Sequence, residues 1–239
     1  MENPTINKRI IKIWYKYSKL DSTAIAPLFF GKTKQNPLVF VGLNPSFSLQ
    51  GFKKVLAGTE YENIKPKAYY KWAGGTASIA RIGDYINIDR YAKEKYPYFK
   101  RPKEIAKKLN AANDWDHLDL FMLRETSQAK AMIDICSKGK SPTADKGPTL
   151  TPFGLEQFAV FKSILVQKNA KCIVIINAFA SKVVQQYMKD IISWDESKGH
   201  HHIELQDTKI PIFFTSMLSG QRALDNGSFE RLVWQLQNS

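Results

Sequence analysis

The chain has 239 residues, 44% hydrophobic and 24% charged, the proportions of an ordinary folded protein with room for one substantial core. No run of about 18 apolar residues occurs, so no membrane-spanning helix is expected, and Met1-Glu2-Asn3-Pro4 lacks the basic-then-apolar order of a secretory signal, so a cytoplasmic protein is expected. Lysine and arginine number 35 against 22 acidic residues, and the resulting +13 attracts polyanions, favouring nucleic acid without separating DNA from RNA or an anionic membrane surface.

In chain order, residues 6–20 read as a first helix, with Ile10, Ile13, Trp14 and Tyr17 spaced to share one face. The unbroken apolar run at 38–41 reads as a strand buried on both faces. Residues 46–100 are rich in tyrosine, tryptophan and lysine and show no clear period. A second strand is predicted at 118–123, and 130–152, with its glycines and prolines, reads as an irregular loop. Thr151-Pro152 with Glu156 signals a helix start, followed by a third strand at 172–176, a helix at 179–188, a fourth strand at 210–214 and a last helix at 228–236. This alternation predicts an α/β fold, a three-layer α/β/α sandwich around a central, mostly parallel four-stranded sheet, in one domain spanning residues 1–239.

Cys136 and Cys172 are expected to be free thiols, too few for an iron–sulfur cluster. His200, His201 and His202 read as a solvated loop, because neighbours in sequence rarely converge on one ion. Neither a metal nor a cofactor is expected.

The most informative segment is Gly42-Leu43-Asn44-Pro45-Ser46, which follows the first strand. Gly42 permits a sharp exit close to a ligand, Pro45 stiffens the turn, and Asn44 stands at the carboxyl end of a central strand, where open α/β sheets bind ligands. The segment resembles the first active-site motif of the uracil-DNA glycosylase superfamily, nearest in form to the mismatch-specific uracil and thymine enzymes, and Gly51-Phe52 follows in a similar way. Thr215-Ser216-Met217-Leu218-Ser219-Gly220 is similar to the loop after the family's last strand, Cys172 to Ala180 to the strand leading into its alanine-bearing helix, and Gly227 to Leu232 to the start of its final helix.

The resemblance implies a glycosylase that hydrolyses an N-glycosidic bond in double- or single-stranded DNA during base-excision repair, acting as a monomer. Asn44 would orient the water, and Ser216 is the hydroxyl nearest the second motif. Gly42, Leu43, Ser46, Phe47, Arg124 and Asn177 would surround the base, with the small Ser46 leaving room for a 5-substituted pyrimidine. Leu218 would be either the apolar wedge that enters the duplex or a buried loop leucine. Ser219, Arg222, Lys53 and Lys54 would meet DNA. Arg124 could instead pair with Glu125, and Tyr70, Trp72 and Tyr85 are candidates for the ring that stacks on the base.

One departure matters. Phe214 stands where the family carries a His or Asn that assists the departing base. A nucleic-acid-binding protein without catalysis, and a hydrolase of a small nucleotide, are therefore the competing expectations.

Overall fold

The computed structural model describes residues 3–18, 23–72, 79–137, 147–220 and 223–239. Helix α1 (Pro4–Tyr17) opens with a proline in its first turn and buries Ile6, Ile10, Ile13 and Trp14. Strand β1 (Leu38–Gly42) is buried throughout, as its sequence requires. The aromatic-rich stretch after it folds as α2 (Leu49–Leu56), the short α3 (Pro66–Tyr69), α4 (Ile82–Lys95), a 3-10 turn (Pro97–Phe99) and α5 (Lys100–Lys108). Strand β2 (Trp115–Asp119) precedes α6 (Gln128–Ile135) and α7 (Pro152–Lys168), and the Thr151 hydroxyl caps α7 by accepting from the Gly154 N–H. Then come β3 (Cys172–Ile175), α8 (Ala178–Tyr187), β4 (Ile192–Asp195), β5 (His200–Leu205), β6 (Thr208–Phe214) and α9 (Asn226–Gln237).

The sheet has six strands in the order β2-β1-β3-β6-β5-β4. The first four are parallel; β5 and β4 join antiparallel, so the sheet is mixed and not the expected four-stranded one. The hairpin from β5 to β6 turns through Gln206 and Asp207, both at positive φ (49° and 63°), the two-residue geometry that matches strand twist. The histidine triplet therefore lies in a strand, not a loop: His200 is buried, with its ring 5.2 Å from that of Phe213.

Alternate residues of the parallel strands face two cores. Val39, Val41, Ile173, Ile175 and Ile212 meet α1, α7 and α8 on one side, while Leu38, Phe40, Val174 and Phe213 meet α5 and α9 on the other. The second strand lies three residues earlier than its apolar run. Leu120, Phe121 and Met122 are fully buried yet extend past the strand, where the Gln157 side chain from α7 accepts the Met122 and Leu123 N–H groups at 2.8 and 3.0 Å. Both cysteines are free, and burial pushes the Cys172 thiol up to about 12. Among the described residues no helix is long and apolar enough to cross a membrane, and no three His, Cys, Asp or Glu side chains gather in a group that could hold a metal ion.

Candidate functional site

The loop after β1 is built on a close approach. A Cβ at Gly42 would stand 2.5 Å from Asp119 Oδ1 and 3.0 Å from His117 Cε1, so glycine is what lets β2 place both side chains against β1. Two residues on, Asn44 Nδ2 donates to three carbonyls: Glu125 O at 2.7 Å, Leu123 O at 3.2 Å and Pro45 O at 3.3 Å. Facing three carbonyl oxygens, the amide must turn its two N–H donors toward them and not its oxygen, which fixes the flip of the side chain and leaves Oδ1 as an acceptor without a partner among the described residues. Ser46, exposed, lies 3.3 Å from Thr126 through its hydroxyl, and the Thr126 oxygen also accepts the Phe47 N–H at 3.2 Å. Phe47 packs against Phe52 and Tyr70.

Past β2, Arg124 is buried and makes a two-pronged pair with Asp89 of α4, at 2.9 and 2.6 Å, with its guanidinium 4.9 Å from the centre of the Tyr70 ring. Its partner is therefore Asp89 and not Glu125, whose carboxylate accepts the Ser127 N–H at 2.9 Å. Past β3, Asn177 caps α8: its Oδ1 accepts from Phe179 and Ala180, and its Nδ2 donates to Gln128 Oε1 at 3.3 Å.

These strand ends open on one cavity of about 960 Å³, bordered by Leu43, Asn44, Ser46, Arg124, Asn177, Met217, Ser219 and Gly220. Its volume is that of a small-molecule site. Ser216, half-buried, is not on its wall. Gly42 and Phe47 support the wall without forming it. Leu218 is not exposed as a wedge: at 1% exposure it belongs to the core against α5 and α9, because the chain turns it inward between Met217 and Ser219. Lys53 and Lys54 are exposed on α2, whose Gly51, Phe52 and Val55 border the cavity. Arg222 lies outside the described residues.

Of the three proposed stacking rings, Tyr70 and Tyr85 are fully buried and stack on each other at 4.6 Å, and Trp72 is buried too. Other rings border the cavity, among them Tyr96, Tyr98 and Phe99, from the end of α4 and the turn after it. Phe214 ends β6 with its ring edge-on to His201, 5.4 Å away, off the cavity wall.

Sequence reasoning missed one pair. Trp115, His117 and Asp119 alternate onto one face of β2, and His117 Nε2 lies 3.2 Å from Asp119 Oδ1, both on the cavity wall. The rings of Tyr98 and Phe99 stand 5.6 and 5.1 Å from the imidazole, whose buried Nδ1 has no partner among the described residues. A carboxylate that fixes one ring nitrogen of a histidine makes a unit able to give or take a proton. The signal was present in the sequence as His-x-Asp at strand spacing, one face of a pleat, beside a strand that ends in glycine.

No family model matches the chain, and no curated protein matches it.

Proposed function

We propose that the chain is a DNA glycosylase, hydrolysing the N-glycosidic bond of uracil or a related damaged base. The observation that carries this reading is the Asn44 amide, which spends its N–H groups on three carbonyls and so keeps Oδ1 free, at the carboxyl end of a central parallel strand and on the wall of a cavity large enough for a nucleotide. In this role Oδ1 accepts a hydrogen bond from a water and so turns a lone pair of the water oxygen toward the sugar carbon. An amide is a weak base, so the rate depends on stabilising the departing base. The His117–Asp119 pair, which lines the same cavity, is a group suited to protonate or hydrogen-bond that base. Tyr96, Tyr98 and Phe99 supply rings against which a flipped base can pack. The +13 charge, with Lys53 and Lys54 exposed on the helix bordering the cavity, supports a DNA partner.

A second reading, a DNA-binding protein without catalysis, is favoured by Phe214, which replaces a base-assisting residue with a ring that can neither donate nor accept. One assay separates the two. Duplexes each carrying a single lesion, among them uracil and mismatched thymine, are incubated with excess protein, and abasic sites are then cleaved by alkali. Release from at least one duplex, lost in His117→Ala, supports the glycosylase. Binding without release from any duplex assigns the second reading, and release without binding preference for DNA over a free nucleoside assigns a small-nucleotide hydrolase.

A further inference from the structure

The cavity has a second charged end that the glycosylase reading leaves unused. Asp116, at the start of β2, is gripped by two ammonium groups: Lys93 of α4 on Oδ1, and Lys168 of α7 on Oδ2 at 2.5 Å. Lys34 reaches the same strand end, donating to the carbonyls of Asn113 and, at 3.5 Å, Trp115. All four side chains border the cavity that also reaches Asn44. Lys93 and Lys168 against the one carboxylate leave a surplus positive charge where the Lys168 side chain is only 4% exposed and that of Lys93 29%, and the exposed Lys34 adds a further charge at the rim. Burial lowers the Lys93 ammonium pKa, and Lys34 and Lys168 lower it further against the pull of Asp116.

A partly buried surplus of positive charge is costly unless an anion compensates it, and each ammonium bound to Asp116 has further N–H donors to give. We propose that this end of the cavity is a phosphate subsite, in which Lys34, Lys93 and Lys168 hold a phosphate group of a ligand whose base lies toward Asn44 and Asn177. The phosphate shares the lysines with Asp116 and does not replace it. The inference extends the glycosylase reading but stands on different residues.

Calorimetric titration with inorganic phosphate, at ionic strength held constant with chloride, tests it. The expected result is saturable binding at one site, weakened at least about tenfold in Lys93→Met, since a charge-assisted hydrogen bond is lost. Asp116→Asn is the discriminating variant: it removes the internal competitor and frees two ammonium groups, so phosphate should bind more tightly, whereas a purely structural ion cluster would only lose stability. Should Asp116→Asn fail to fold, Lys93→Met decides alone. Deoxyuridine monophosphate and a short single strand carrying uracil are then used as competitors. Displacement of phosphate by the mononucleotide assigns a free nucleotide, displacement by the strand alone assigns a backbone phosphate, and displacement by neither overturns the subsite. Phosphate heat no larger than that of chloride also overturns it. Base release from DNA that persists without any phosphate binding refutes this inference and leaves the glycosylase reading intact; phosphate binding without base release does the reverse.

Discussion

Asn44→Asp is the substitution that the resemblance to uracil enzymes recommends, since a carboxylate is a better base than an amide, but the geometry predicts the opposite outcome. The Asn44 amide faces three carbonyl oxygens at 2.7, 3.2 and 3.3 Å, and a carboxylate placed there would meet all three as acceptor against acceptor. Either the aspartate stays protonated, its pKa raised by the surrounding oxygens, or it swings away and abandons the loop. Neither outcome supplies a better base: the protonated acid still accepts from the water but is no more basic than the amide, and the displaced carboxylate abandons the water. The cost in stability follows from the bonds removed. Two amide protons serve three carbonyls, so Asn44→Ala gives up roughly two net hydrogen bonds, about 2–3 kcal/mol, a sizeable part of a total stability of about 5–15 kcal/mol. Asn44→Asp should cost at least as much at neutral pH. Urea unfolding of wild type, Asn44→Ala and Asn44→Asp gives the stabilities. Single-turnover base release, well below each unfolding midpoint, gives the rates, with a fall of about 10²-fold or more expected in Asn44→Ala and a rate below wild type in Asn44→Asp. An Asn44→Asp protein within about 0.5 kcal/mol of wild type, the usual range for an inert surface change, that released base as fast or faster would refute the clamp.

Leu218→Ala should destabilise by about 2–5 kcal/mol, because it empties a fully buried site, while the DNA affinity of the folded fraction stays near wild type; an intact stability with weakened duplex binding would restore the wedge. Burial alone would raise the Asp116 carboxyl, yet Lys93 and Lys168 together hold it well below the usual carboxylate range. Its folded-state pKa is thus below the unfolded value of about 4, so its contribution is fully present above that pH and lost as pH falls from there through the folded value; the gap between the urea midpoints of wild type and Asp116→Asn should hold from pH 7 to about pH 4 and narrow below it, and a gap unchanged from about pH 4 to about pH 2 would refute the assignment. Binding to duplex DNA should weaken steeply between about 50 and 200 mM salt, measured by fluorescence anisotropy, and an affinity that hardly changes would remove the nucleic-acid reading.

The parts of the fold that were legible in the sequence share one property: their environment is uniform. Residues 38–41 and 172–175 are apolar because both faces of the sheet are covered, and a run of apolar residues says so directly. Strands β4 and β5 escaped because Ser193, Trp194, His201 and Glu204 face partly outward on the antiparallel flank, giving a polar pattern that reads as loop. The displacement of β2 has the converse cause. Leu120 to Met122 are apolar through packing, and Trp115 to Asp119 pair with β1 while carrying Asp116, His117 and Asp119, so pairing and burial fall on different residues. In the site, Asn44 and Asn177 were placed at strand ends by the apolar runs before them. The ion pairs of Asp89 with Arg124 and of Asp116 with Lys93 and Lys168 join residues 23 to 52 positions apart, and no local pattern carries such a pairing.

The Asn44 clamp does not act alone on the two loops it joins. Leu120 N–H donates to Gly42 O at 3.1 Å, Phe121 to Leu43 O at 3.0 Å and Glu125 to Pro45 O at 3.0 Å, so the pairing of β1 with β2 continues beyond the last residue of either strand. The amides of Leu120, Phe121 and Glu125 should therefore exchange with solvent at the pace of the sheet and not of a surface loop. This half of the cavity rim behaves as one rigid jaw. Entry of a bulky ligand then falls to the facing side, where, among the described residues, α4, the Tyr98–Phe99 turn and the Met217–Gly220 loop are not stitched to β1 by main-chain bonds, and a relaxation experiment on microsecond to millisecond motion should find its exchange there.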